Sequence, residues 1–149
     1  FGSKDRFNYT VMGDTVNTAS RLESAANKTY GTKMMVGGFN GILSQEDVVK
    51  IVLREIDTVL LPGKKEPVTL YELVGLKEDV SAQMTEILRF YGDGLAAYRK
   101  KDFAKAVELF KACGEDAPAK IMLGRCEILV KDEKISELDA GMIFRILNK

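Results

Sequence analysis

The first half of the chain contains stretches with the hydrophobic and polar pattern of β-strands. Apolar and polar side chains alternate over residues 7–11, which is the period of a half-buried strand. Residues 50–61 are rich in β-branched and apolar types, and residues 67–74 form a similar run. Between these two runs stands Pro62-Gly63, a pair typical of the centre of a type II turn. The pattern therefore predicts a hairpin with Lys64-Lys65 at its tip.

A helix is predicted between the first strand and this hairpin. Asp14 is a good N-cap residue, and the residues after it predict a helix from Thr15 to about Asn27. Tyr30-Gly31 closes this helix, because glycine favours the backbone conformation that ends helices. Residues 33–36 are then predicted to form a further short strand. Strand and helix signals thus alternate over the first part of the chain.

From about residue 79 onward the pattern is helical throughout. Asp102 is predicted to cap a second helix, Pro118 to start a third, and residues 135–147 have the spacing of a fourth. The change of pattern predicts two domains, residues 1–76 and residues 77–149, and we call the second the helical tail. In its first helix, apolar residues recur every three or four positions, forming one stripe: Val80, Met84, Ile87, Tyr91, Leu95 and Tyr98.

The composition narrows the class of protein. The 149 residues carry 22 Lys and Arg against 22 Asp and Glu, so the basic surplus that favours nucleic acid as a partner is missing. Without histidine, no His-based triad or His-ligated metal site can form. Two cysteines are too few for a disulfide framework or a thiolate zinc site, which fits a reducing compartment. Because no apolar run approaches the roughly 20 residues of a membrane-spanning helix, we expect a cytoplasmic segment without membrane contact.

Two polar residues on the predicted helix 15–27 form a candidate binding site. Asn17 and Arg21 are four positions apart and share one face, roughly opposite the apolar stripe of this helix. Near a helix N-terminus, free N–H groups and a guanidinium can bind phosphate. The pattern alone, however, is more typical of a solvated helix face than of an anion site.

The residues around this pair resemble a known signature. The stretch YTVMGDTVNTASRLESAA, starting at Tyr9, closely resembles the second half of the catalytic domain of the class III adenylate/guanylate cyclases. The resemblance continues through REIDTV at residues 54–59 and PGKKEPVTLYEL at residues 62–73, and so covers about half of the chain. It implies an α+β fold: part of a ferredoxin-like class III cyclase domain, followed here by an all-α tail.

The resemblance also implies roles for individual residues. In this family, the position matching Asn17 orients the ribose, and the position matching Arg21 stabilises negative charge at the reacting α-phosphate. Thr10 stands at the purine-selecting position, where adenine-specific members carry Asp or Thr. This favours ATP over GTP, and a guanylate cyclase is the alternative. Lys64, or else Lys65, would meet the β- and γ-phosphates, although Pro62 departs from the lysine that often precedes the hairpin glycine.

The family's metal ligands have no counterpart in this sequence. Class III cyclases use two Mg2+ or Mn2+ ions held by two aspartates from the first half of the catalytic domain, and Asp57 does not match either position. Because the chain opens at Phe1 without methionine, we expect a segment of a longer polypeptide. Because the metal-binding half is missing, we expect this segment to be inactive alone. Active sites of the family lie between two catalytic domains, so a homodimer or higher self-association is expected.

The helical tail resembles a tetratricopeptide repeat, in which two antiparallel helices pack through small residues. The residues that carry this resemblance are Gly94, Phe103, Ala106, Phe110, Cys113 and Pro118. Cys113 and Cys126 are expected to be small buried hydrophobes. We expect the tail to set how two catalytic domains approach each other. The alternative to a cyclase segment is a noncatalytic interaction module, built from a degenerate cyclase domain and a helical repeat.

Overall fold

The computed structural model describes residues 29–31, 35–37, 51–60, 63, 65–135, 137–138 and 141–146. The strand predicted at residues 7–11 and the helix predicted at residues 15–27 lie outside them. The pair predicted to close this helix, Tyr30-Gly31, lies within them. Within these residues the fold is mixed α and β, as expected: a small sheet is followed by helices and then by a short return to the sheet.

The hairpin is confirmed, and it forms the centre of the sheet. Strands β2 and β3 pair antiparallel, and β3 also pairs antiparallel with β1. A very short β4 runs parallel to β2 on its other side, so the described strands follow the order β1-β3-β2-β4. Gly63 has a positive φ of 77° at the turn, which a type II turn requires at its third position. The strands are β1 Met35–Gly37, β2 Ile51–Leu60, β3 Val68–Leu76 and β4 Phe144–Arg145.

A β-bulge in β2 changes which of its side chains point inward. The pairing with β3 shifts between Glu55 and Asp57, so Ile56 is the extra residue. Four residues in this part of β2 are buried. Arg54 precedes the bulge, Ile56 is the extra residue within it, and Asp57 and Val59 follow it. In a regular strand, residues three apart face opposite sides of the sheet. The bulge therefore lets Arg54 and Asp57 both reach the interior.

Three of the four helices predicted for the tail form, and each has a capped N-terminus. The side chains of Ser81, Asp102 and Asp116 each accept a hydrogen bond from the backbone N–H three residues later. Asp102 confirms the predicted cap, whereas the third helix begins slightly before Pro118, which occupies its first turn. The helices are α1 Ala82–Arg99, α2 Phe103–Lys111 and α3 Ala117–Val130, and a short 3-10 helix, Lys77–Asp79, leads from β3 towards α1.

The sheet and the helices share one hydrophobic core. Fully buried side chains of the strands, such as Ile56 and Leu70, belong to the same cluster as Tyr91, Phe110 and Met122 of the helices. The division into two domains at residues 76 and 77 stays a prediction. In the described part of the chain, burial of apolar surface links the two predicted regions directly.

Both cysteines are buried and not disulfide-bonded, as expected. Burial raises the pKa of Cys113 to about 11 and that of Cys126 to about 12. Because the reactive thiolate is suppressed at neutral pH, both side chains act as small hydrophobes in the core.

The predicted fourth helix is wrong. Residues 141–146 return to the sheet, where Phe144 pairs with Val59 of β2 and forms a bridge with Leu138. Met142 and Ile146 are buried, with Phe144 half-buried between them, so alternate residues face the core as in a strand. Gly141 interrupts the helical pattern, and the packing of this apolar set overrides the local helix preference.

The close approach of α1 and α2 leads to a stability prediction. A Cβ atom added at Gly94 would lie 2.9 Å from a ring carbon of Phe110, whereas one added at Gly92 would meet nothing within 4 Å. We expect Gly94→Ala to lower the free energy of unfolding by about 1–3 kcal/mol through overpacking. The control Gly92→Ala, on the same helix, should be neutral or stabilising by up to about 1 kcal/mol. Urea unfolding of both variants measures the difference, and equal effects would contradict the prediction.

Candidate functional site

The predicted nucleotide-binding residues lie outside the described residues. This holds for Thr10, Asn17, Arg21 and Lys64, so their positions and mutual distances stay predictions. Of the residues next to these positions, the structure describes Gly63 and Lys65, on either side of Lys64. Lys65, the alternative phosphate-binding residue, is exposed beside the hairpin turn.

The end of the predicted nucleotide-binding helix is described and lies against the helical tail. Thr29 and Tyr30 are helical, and Gly31 follows with a positive φ of 68°, which confirms that this pair closes a helix. A Cβ atom added at Gly31 would lie only 3.1 Å from the Cβ of Ala117, the first residue of α3. Glycine is therefore suited to this position both by its conformation and by the close approach of α3.

A buried polar cluster joins this helix end to the sheet and to α3. Its members are Tyr30, Asp57, Tyr98 and Arg125, and we call it the Asp57 network. Asp57 Oδ2 accepts hydrogen bonds from the Tyr30 hydroxyl at 2.6 Å and from Arg125 Nη1 at 2.7 Å. Arg125 also donates to the hydroxyls of Tyr98 at 3.2 Å and Tyr30 at 3.3 Å. The other carboxylate oxygen of Asp57 accepts from the backbone N–H of Thr58 at 2.8 Å.

The Asp57 network is closed to solvent and electrically balanced. The Arg125 and Asp57 side chains are only 5% and 1% exposed. Burial opposes the charge on Arg125, but the neighbouring Asp57 carboxylate more than offsets this, so the pKa of Arg125 is raised. Burial, reinforced by the charge of Asp57, raises the pKa of the Tyr30 hydroxyl well above its usual value. Burial and the charge of Asp57 also raise the pKa of Tyr98, to about 12. Both tyrosines therefore stay protonated at neutral pH and act as hydrogen-bonding groups.

The C-terminal segment covers the remaining side of Arg125. The ring of Phe144 stacks on the guanidinium, with its centroid 3.9 Å from the central carbon. This contact explains why β4 lies beside β2 at this point, since it shields a buried charge from water.

A second charged cluster joins the same strand to the start of α3. Arg54 donates from Nε to Glu72 of β3 at 3.0 Å and from Nη1 to Asp116 at 2.6 Å. Asp116 also caps α3, accepting from the N–H of Ala119 at 3.2 Å. The guanidinium of Arg54 lies over the ring of Tyr91, 4.9 Å from its centroid. Strand β2 is therefore joined to α3 by two ion pairs, Arg54 with Asp116 and Asp57 with Arg125.

These clusters are suited to fixing geometry rather than to binding a ligand, because their donors and acceptors are satisfied by one another. The tyrosine hydroxyls and the carboxylates of Asp57 and Asp116 all face protein partners. Within the described ranges, no group of three or more His, Cys, Asp or Glu side chains is arranged to hold a metal ion.

Sequence reasoning missed the Asp57 network, although α3 contained a signal for it. Arg125 lies three residues after Met122 and four before Leu129, so helical spacing places it inside the apolar stripe of α3. A charged residue inside such a stripe requires a buried partner. The identity of that partner depends on the bulge in β2, which no periodicity reveals.

Two comparisons found no match: no family model matches the chain, and no solved structure matches it. In the part of the chain that the structure describes, no helix combines the length and the apolar character needed to cross a bilayer.

Similarity to curated proteins points to one class, the adenylate cyclases, to which the chain is related. The chain is 30% identical over 142 residues to "Adenylate cyclase, terminal-differentiation specific" of Dictyostelium discoideum. The aligned region covers 92% of this chain but 7% of that protein. The chain is also 42% identical over 81 residues to "Adenylate cyclase 1" of Rhizobium meliloti (strain 1021), covering 54% of this chain and 11% of that protein. The chain thus spans only a small part of the relatives it matches.

Proposed function

We propose that the chain is the C-terminal part of an adenylate cyclase catalytic region with its helical tail. The parent polypeptide converts ATP to 3′,5′-cyclic AMP and pyrophosphate by attack of the ribose 3′-hydroxyl on the α-phosphorus. The partial domain has the ferredoxin-like class III fold, the tail is TPR-like, and the segment lies on the cytoplasmic side of any membrane anchor.

The observation that carries this proposal is the extent of the similarity to adenylate cyclases. A match over 92% of the chain must include both the hairpin and most of the helical tail. A likeness restricted to the helices would have favoured a repeat scaffold without catalytic residues. The joint similarity of both regions, together with the Asn17 and Arg21 spacing, favours a catalytic segment.

In this proposal each predicted site residue has one task. Arg21 stabilises the negative charge that grows on the α-phosphate in the transition state, for which a planar guanidinium is suited. Asn17 orients the ribose so that its hydroxyl is in line with the phosphorus. Thr10 contacts the purine and favours ATP, and Lys64 binds the outer phosphates.

The rest of the active site comes from outside this chain. Two Mg2+ or Mn2+ ions would, when bound, supply positive charge against the triphosphate, and their aspartate ligands would belong to the preceding half of the catalytic domain. The site is completed across a homodimer, in which one subunit supplies these ligands and the other supplies Asn17 and Arg21. The isolated chain is therefore inactive.

A direct assay tests the proposal. The purified parent polypeptide, given ATP and Mn2+, should form cyclic AMP, whereas the isolated 149-residue chain should form none above background. The same assay with GTP should give little product. Absence of cyclic AMP formation by the parent would favour the noncatalytic interaction module, and activity of the isolated chain would contradict the assignment of the metal ligands.

A further inference from the structure

Tyr30 links two parts of the chain that have different predicted tasks. It lies roughly two and a half helical turns after Arg21, at the closed end of the helix predicted to carry Arg21 and Asn17. Its hydroxyl also belongs to the Asp57 network, where it donates to Asp57 and accepts from Arg125. Arg125 of the helical tail is thus hydrogen-bonded to Tyr30, at the end of the helix that is predicted to bind the nucleotide.

The geometry of this link is stiff. Tyr30, Asp57 and Arg125 form a closed triangle in which each member bonds to the other two, at 2.6, 2.7 and 3.3 Å. Hydrogen bonds that involve ionised groups in a buried site are shorter and stronger than neutral ones. Movement of α3 relative to β2 would break at least one of them, because Asp57 belongs to the strand and Arg125 to the helix.

The Arg54 cluster excludes simple rotation of α3 about this triangle. It fixes the N-terminus of α3 to β2 and β3 through Asp116 and Glu72. Close to that fixed end, Gly31 lies against Ala117. The end of the nucleotide-binding helix is therefore held between two anchored points of α3.

We propose that Arg125 and Asp57 are positioning residues for nucleotide cyclisation, which act by holding Tyr30 and with it the helix of Asn17 and Arg21. This inference rests on the proposed function. It gives the helical tail a part in catalysis within one subunit, in addition to any effect on how subunits assemble. A displacement of about 1 Å at a reacting group can reduce a rate by up to 10²-fold, so a small loss of alignment is measurable.

The chain offers a matched pair of variants for the test. Tyr30→Phe removes the hydroxyl that reaches the helix end, whereas Tyr98→Phe removes a hydroxyl that bonds the same arginine from within the helical tail. Both rings are fully buried. Tyr30→Phe removes two hydrogen bonds of the network and Tyr98→Phe removes one, so Tyr30→Phe should destabilise the chain more. Activity is therefore compared only where both variants are fully folded, so that a difference reports positioning.

The measurements use the parent polypeptide at a temperature where circular dichroism shows both variants to be folded. We expect Tyr30→Phe to lower kcat about tenfold with KM for ATP nearly unchanged, because Arg21 acts on charge that develops in the transition state. Tyr98→Phe should stay within about twofold of the wild type, since its hydroxyl does not contact the helix end. Amide hydrogen exchange of a peptide covering residues 15–31 should become about tenfold faster only in Tyr30→Phe.

The outcomes separate the two proposals. Equal kinetic effects of the two variants in an active parent, or unchanged exchange over residues 15–31 in Tyr30→Phe, would overturn the positioning role and leave the proposed function intact. A wild-type parent without cyclase activity would overturn the proposed function and the positioning role together.

Discussion

Replacing Arg21 with alanine in the parent polypeptide should reduce kcat for cyclic AMP formation by about 10²–10⁴-fold. The guanidinium is proposed to neutralise charge that grows on the α-phosphate, and loss of one such group typically costs this much in phosphoryl and acyl transfer. KM for ATP should change far less, because the interaction strengthens only as the transition state forms. Initial rates of cyclic AMP formation at several ATP concentrations measure both constants.

A matched control separates the role of Arg21 from a general loss of positive charge. Arg89 lies on the exposed surface of α1. Among the ion pairs of the described residues, it takes part in one, with Glu86 of the same helix. Arg89→Ala should leave both constants unchanged. Wild-type turnover by Arg21→Ala would remove the central residue of the proposed site, whereas a loss of activity in both variants would indicate a less specific effect of charge.

Arg125→Met should lower the free energy of unfolding of the 149-residue chain by about 3–5 kcal/mol. The substitution leaves the Asp57 carboxylate in the interior without its cationic partner, which is the costly way to break a buried ion pair. It also removes the donors to Tyr98 and Tyr30. Urea unfolding followed by circular dichroism measures the change.

The double variant Asp57→Asn/Arg125→Met tests the pair itself. With both charges removed, the loss of stability should be smaller than the sum of the two single losses, because neither charge remains unpaired. The exposed pair provides the control, since Arg89→Met should have no measurable effect on stability. Strict additivity of Asp57→Asn and Arg125→Met would show that the two side chains do not stabilise each other.

The elements predicted correctly are those that local chemistry specifies. The hairpin follows from two apolar, β-branched runs around a turn with Gly63 at the position that needs a positive φ. The tail helices follow from their apolar period, from the capping residue Asp102 and from Pro118 in the first turn of α3. In each case the controlling interactions lie within a few residues of one another, so the sequence pattern records them.

The features that sequence reasoning missed depend on contacts between distant residues. Residues 141–146 form a strand-like return because Phe144 stacks on Arg125 and Ile146 enters the core. The Asp57 network depends on an extra residue at Ile56, which turns Asp57 inward. Of the candidate site, sequence reasoning supplies Thr10, Asn17, Arg21 and Lys64 through family resemblance. The described residues contribute the Asp57 network, which reaches the helix end at Tyr30.

The two ties between β2 and α3 have a consequence for how such proteins can change during evolution. Arg54 and Asp57 on the strand are each neutralised by one acidic or basic side chain of the helix, Asp116 and Arg125. Exchange of the tail for an unrelated sequence that still covers β2 would leave Asp57 buried without its cationic partner, whereas Arg54 would keep Glu72 of β3. A descendant with such a tail would have to replace Asp57 or supply a new cationic partner, so Asp57 and Arg125 should be inherited or lost as a pair.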